Sequence, residues 1–302
     1  MNMPTIKNWI SAFRLRTLFL AIATVILGSA LAWHEGMFLG KVFFMALILA
    51  VSLQILSNLA NDLGDYQKGT DTTGDRKGPI RSLQRGYISL KQMKIAVGLG
   101  IIWVAIIGLT LVIYSTKFIG WKSTIIMLII GLLCILAAVF YTLSKHAYGY
   151  KGWGDFFAFL FFGPVSVIGT YFLHVHSLDF QPVLPAIGMG LTSTMILNIN
   201  NMRDIDNDLA SGKITIAVKL GLKNAKIYHF ILTCTMCLCF ISYSIIYASF
   251  PWHRYLYTFV FLLSFIMLFK IFHKSGKDLD PYLKYTSLFS LLLVLAFALC
   301  IN

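Results

Sequence analysis

The chain alternates between long apolar runs and short polar breaks. Nine runs stand out, over about 16–33, 38–63, 91–114, 123–143, 153–173, 182–203, 225–249, 253–273 and 283–301. Each is roughly 20 residues long, the length an α-helix needs to cross a hydrocarbon core of about 30 Å. The runs are apolar throughout and do not alternate, so they predict spanning helices that satisfy their own backbone polar groups. The expected fold is all-α: a polytopic membrane protein built as a nine-transmembrane-helix bundle, with residues 1–302 forming one integral membrane domain. The first run follows Arg14 and Arg16 and lacks a small-residue cleavage site, so it reads as a membrane helix and not as a signal peptide.

Composition agrees. The 302 residues are 58% hydrophobic and only 12% charged, with a mean hydropathy of +0.78, whereas a soluble domain carries about 25% charged residues. The net charge of +13 does not point to nucleic acid, because the basic residues are sorted by side. Of 25 lysines and arginines, all but Lys41, Lys117, Lys122 and Arg254 fall before the first run or in even-numbered loops. That asymmetry predicts a cytoplasmic N-terminus and cytoplasmic even loops, in the inner (cytoplasmic) membrane of a cell. All five cysteines lie inside apolar runs, and the C-x-x-C of Cys234 and Cys237 has no further ligand near it. The seven histidines are scattered without metal-site spacing.

The carboxylates are not scattered. Of the twelve, four lie in "NDLGDYQKGTDTTGDRKGPIR" (61–81) and three in "NINNMRDIDNDLASGK" (198–213). These blocks close the second and sixth spans, so both emerge on one face. Asn58, Asp62 and Asp65 recur at i, i+4 and i+7; Asn61 and Asp65 are also four apart, as are Asp204 and Asp208, with Asn200 and Asn201 one turn earlier. Asp206 is expected to point away. Like charges four apart repel, and all-oxygen ligands of this kind suit Mg²⁺ shared with substrate phosphates. The candidate ligands are Asn58, Asn61, Asp62, Asp65, Asp71, Asn201, Asp204 and Asp208. Arg76, Lys77 and Arg81 follow the first block and Lys213 the second, the cations a diphosphate needs beside the metal. A substrate with a diphosphate head and a membrane-soluble tail follows. Arg85, Lys91 and Lys94 read as part of the charge asymmetry.

These blocks resemble the signature of the UbiA superfamily of intramembrane prenyltransferases, N-x-x-x-D-x-x-x-D on the second helix and D-x-x-x-D on the sixth. Asn61 and Asp65 fit the first two positions; Gly69 stands at the third, and the next acid is Asp71. That displacement, followed by "GPIR", is similar to the subfamily that prenylates 1,4-dihydroxy-2-naphthoate in menaquinone synthesis, as is "NNMRDIDNDLASGKITIAVKLG". "FRLRTL", "YTLSKHAYGYKGWGD" and "FFGPVSVIGTYF" add to the resemblance, which covers about the first seventy per cent of the chain.

The resemblance implies a helical bundle around a lipid-open cavity that holds Mg²⁺ and a polyprenyl diphosphate between the two acidic motifs. Asn61, Asp65, Asp204 and Asp208 are then catalytic, and the product is demethylmenaquinone with loss of diphosphate and CO2. Within that frame Lys145 is expected at the diphosphate, Tyr141 and Asp155 on the reaction chamber, and Arg14 and Arg16 at the carboxylate of the aromatic acceptor. Two other readings remain open: another acceptor, such as 4-hydroxybenzoate or homogentisate, and a transporter of Mg²⁺ or another cation. The D-G-x-x-A-R pattern of CDP-alcohol phosphotransferases is absent.

Overall fold

The computed structural model describes residues 4–70, 77–117, 119–144, 147–247 and 251–302. Among them nine helical segments are long and apolar enough to cross a membrane: α1 (Ile6–His34), α2 (Gly40–Gln67), α3 (Leu90–Thr116), α4 (Trp121–Phe140), α5 (Gly154–Val175), α6 (Val183–Arg203), α7 (Ile216–Tyr247), α8 (Trp252–Phe272) and α9 (Gly276–Ile301). No strand occurs among the described residues.

Several boundaries differ from those the apolar runs suggest, each for a local reason. α1 starts early because an amphipathic turn, Ile6–Phe13, precedes the span and breaks at Arg14, which adopts a left-handed conformation (φ 51°). α3 starts at a capping box, where Ser89 accepts from the Gln92 backbone while the Gln92 side chain accepts from Ser89. α7 starts nine residues before the apolar run and bends at Gly221, whose φ of 72° a side chain would resist. In α5, Pro164 lacks a backbone donor, and the helix widens to π geometry over Phe161–Ile168.

The most buried helices are α1 and α6, whereas α4 is the least buried, with Met127 its single buried residue. α6 packs on α5, α7 and α9, and α1 packs on α2 and α9. Their shared core holds Leu27, Leu31, Tyr171, Met189, Phe240 and Phe297. The α5–α6 crossing is close because both partners are glycine: a Cβ at Gly163 would lie 2.5 Å from the Ala186 carbonyl oxygen, and one at Gly190 would lie 2.6 Å from that of Phe159. Antiparallel alternation then brings the last turns of α2 and α6 to one end, beside the segments 77–89, 141–144, 147–153 and 204–215.

Candidate active site

At the end of α2, Asp62 and Asp65 are both buried. A bare carboxylate is costly there, and the chain supplies cations. The segment after α2 returns Arg81, whose Nη1 lies 2.8 Å from Asp65 Oδ2 and whose Nε lies 3.3 Å from Asp62 Oδ1. Arg14, turned inward by the break in α1, pairs with Asp62 from the other side. Tyr150 completes this corner: its hydroxyl donates to Asp65 Oδ1 at 2.7 Å and lies 2.5 Å from the Thr70 hydroxyl. Asn61 sits one turn before Asp65, with Thr142 Oγ1 3.4 Å from its side-chain oxygen. Asn58 faces α1 instead; its amide donates to the Phe13 carbonyl and to Thr17 Oγ1.

At the end of α6, Arg203 is almost fully buried among acceptors. Its Nε and Nη2 bond Asp204 at 3.1 and 2.5 Å, Nη2 also reaches Asn200 Oδ1 at 2.9 Å, and Nη1 reaches Asp280 of α9 at 2.5 Å. Asp280 also accepts from Arg16 Nη1 at 3.0 Å. Gly78 lies against Arg203, where a Cβ would fall 2.8 Å from Nη2. The helix breaks at Asp204 and resumes as the short turn Ile205–Ala210. There Asp208 is buried and pairs with Lys213 at 3.4 Å, while Asp206 is exposed.

A cavity of about 620 Å³ opens below these groups. Its mouth includes Arg14, Arg16, Asn61, Asp65, Arg81, Asn200 and Lys213, and its body is apolar, running between α1 to α6 and α9. Four aromatic rings on its wall make a continuous row: Tyr141 and Tyr148 are 5.3 Å apart, Tyr148 and Phe157 4.2 Å, and Phe157 and Phe161 6.0 Å. The electrostatics follow from burial. Burial pushes the Asp208 carboxyl up to about 6, Asp204 adding and Lys213 opposing. Burial would pull Lys213 down, but Asp208 and Asp65 hold it above its ordinary value. Burial also pushes the Tyr141 phenol up to about 12.

The structure thus gathers Asn61, Asp65, Arg81, Lys213, Tyr141, Arg14 and Arg16 around one cavity mouth, with Asp62, Asn201, Asp204 and Asp208 directly behind them. Lys77 is exposed. Asp155 is buried and does not line the cavity, although its neighbour Gly154 does. Asp71, Arg76 and Lys145 lie outside the described residues. Arg203, Asp280 and Tyr150 were not singled out by sequence reasoning. Arg203 and Tyr150 lie inside the motifs NINNMRDIDNDLASGK and YTLSKHAYGYKGWGD, which was the available signal; for Asp280 there was none.

Among the described residues, no three carboxylate, histidine or cysteine side chains gather closely enough to hold a metal by themselves. Two oxygens nevertheless suit a shared cation: Asp208 Oδ2 and Asn201 Oδ1 are buried without a hydrogen-bond partner. Orphaned buried oxygens are rare, and Mg²⁺ completes its shell with water and substrate phosphate.

A nine-span bundle with an apolar cavity, capped at one end by interleaved carboxylates and cations, is the architecture of an enzyme acting on amphipathic anions inside a membrane. The profile of the UbiA prenyltransferase family matches residues 21–300, and the chain belongs to that family. It is 38% identical to the 1,4-dihydroxy-2-naphthoate octaprenyltransferase of Haemophilus influenzae over 97% of this chain and 95% of that one. It is 40% identical to the Escherichia coli protein of the same name, over 91% and 87%. The fold is shared with a UbiA homolog from Archaeoglobus fulgidus solved bound to DMAPP and Mg²⁺, at a TM-score of 0.63 and 13% identity, covering 95% and 98% of the two chains.

Proposed function

We propose that the protein transfers a polyprenyl group from polyprenyl diphosphate to 1,4-dihydroxy-2-naphthoate in menaquinone biosynthesis. The carrying observation is the junction of two acidic blocks and their cations at the mouth of one apolar cavity. The identities to naphthoate octaprenyltransferases support the choice of acceptor.

In this reading the prenyl tail lies in the cavity and the diphosphate meets Arg81 and Lys213 at its mouth. Asn61, Asp65, Asn201 and Asp208 would hold Mg²⁺, with Asp204 and Asp62 released from their arginines as further ligands; the bound ion neutralises charge on the leaving diphosphate. The C1–O bond breaks with its electron pair on diphosphate. The faces of Tyr141, Tyr148 and Phe157 accommodate the allylic cation. The ring carbon that bears the carboxylate bonds to C1, and the carboxylate departs from that carbon as CO2, returning its bonding pair to the ring; the product is demethylmenaquinone in its hydroquinone form. Arg14 and Arg16 hold the acceptor carboxylate until then. The side-sorted lysines and arginines support a cytoplasmic mouth and N-terminus in the cytoplasmic membrane, with the whole chain acting as one domain.

The test is prenyl transfer by purified protein in lipid nanodiscs, with Mg²⁺, a long-chain prenyl diphosphate, and dihydroxynaphthoate, 4-hydroxybenzoate and homogentisate offered separately. Dihydroxynaphthoate is the expected acceptor. Transfer to 4-hydroxybenzoate alone overturns the assignment, and Mg²⁺ flux without transfer restores the transporter reading.

A further inference from the structure

Asp280 opens the α-helical part of α9, directly after the 3₁₀ turn Gly276–Leu279, in the part of the chain whose sequence carried no motif. Its Oδ1 accepts 2.5 Å from Arg203 Nη1, and its two oxygens accept 3.2 and 3.0 Å from Arg16 Nη1. Arg203 is itself fixed: its side chain is 1% exposed and is held on its other edge by Asp204 and Asn200. Asp280 is therefore held on one side by the rigid Arg203 and carries Arg16 on the other. Arg16 uses one nitrogen there and remains part of the cavity wall. Arg14, by contrast, has its charge matched by Asp62, which Arg81 also approaches.

The surroundings of Arg16 specify a ligand. Leu20 lies one turn beyond it on α1; Leu283 and Ser287 lie one and two turns beyond Asp280 on α9; all three line the cavity. A guanidinium above two leucines, on the wall between α1 and α9, matches a flat aromatic ring with a carboxylate at its edge. The planar fork of arginine suits that group.

We propose that Asp280 is a positioning residue for the aromatic acceptor: by anchoring Arg16 to the buried Arg203, it sets the carboxylate-binding fork at the cavity wall. This rests on the prenyltransferase reading of the same site. A strut that merely joins α9 to α6 would affect every ligand alike, whereas a positioning residue affects only ligands bearing the carboxylate.

The experiment compares 1-hydroxy-2-naphthoate and 1-naphthol as inhibitors competing with the acceptor in nanodisc-reconstituted enzyme. In the native protein the carboxylate confers tighter binding. In Asp280→Asn that advantage shrinks by about tenfold or more, as misplacement of a binding group predicts; the 1-naphthol constant and the KM for prenyl diphosphate stay within about twofold. Arg16→Gln removes the same advantage, and the double variant loses no more than Arg16→Gln. Asp280→Glu, which keeps the charge, restores at least part of it and serves as the readout if Asp280→Asn does not fold. An unchanged carboxylate advantage in Asp280→Asn, or equal weakening of both inhibitors, overturns the proposal. Absence of prenyl transfer by the native enzyme overturns the prenyltransferase reading instead.

Discussion

At the scale of the residue, Asp208 is where charge and chemistry meet. Its carboxyl is raised by burial to about 6, above the ordinary value of 3.8. The folded state therefore takes up a proton between about pH 4 and 6 that the unfolded chain does not. Stability from this group falls as pH rises through that window and stays lower above it. Activity moves the opposite way, because only the ionised form can serve a cation. At limiting Mg²⁺, transfer should fall about tenfold per pH unit below 6, and raising Mg²⁺ should move the descending limb to lower pH. A limb indifferent to Mg²⁺ would dissociate Asp208 from the metal. Arg81 gives a second test. Its Nε and Nη1 address two different carboxylates, a geometry a lysine ammonium cannot reproduce. Arg81→Lys should therefore raise the KM for prenyl diphosphate by about tenfold or more in a steady-state assay varying the diphosphate, and it should lower the thermal midpoint because one buried carboxylate loses its partner.

At the scale of the element, the α5–α6 crossing depends on the absence of side chains. Gly163→Ala places a methyl against the Ala186 carbonyl and the Gly190 backbone, which have no room to yield. Overpacking of this kind costs about 1–3 kcal/mol and should lower the thermal midpoint in detergent. Gly169→Ala, in the same helix, meets open space and an ordinary helical backbone, so it should be neutral or stabilising by about 0.5–1 kcal/mol. Equal midpoints for the two variants would contradict the packing described. The contrast also marks what the sequence reveals. The nine spans were legible because apolar length is a one-dimensional property, and the two acidic blocks were legible because Asp65 and Asp208 sit at regular spacing on span ends. The widening around Pro164 was not, since a proline inside a helix can kink, break or widen it, and only the folded backbone shows which. Arg203 read as one more basic residue of an inner loop, and only the fold brings Asp280 to it, across 77 positions of chain.

At the scale of the whole molecule, the cavity is walled unevenly. α4 packs against α2 and α3 but not closely against α5, although both helices line the cavity. Leu109 of α3 and Leu132 of α4 belong to the lining and are also exposed. The cavity's volume of about 620 Å³ is of the size that holds a small ligand, so a long polyprenyl tail extends beyond it into lipid, and the loosely held α4–α5 side is the natural exit. Gly131 stands on this path: it lines the cavity, and a Cβ built on it meets nothing within 4 Å. At 1.5 Å per residue it lies about 15 Å along the helix from Tyr141 at the mouth. A side chain there should leave the head-group site untouched while obstructing the tail. Gly131→Leu is therefore expected to keep geranyl diphosphate turnover within about threefold and to raise the KM for a long-chain prenyl diphosphate by about tenfold. The loss corresponds to about 1.4 kcal/mol of tail binding, well within what displacing a few buried methylenes removes. Parallel assays with the two donors and one acceptor decide it: equal losses for both would place the tail elsewhere, and no loss for either would mean that α4 swings clear of the path.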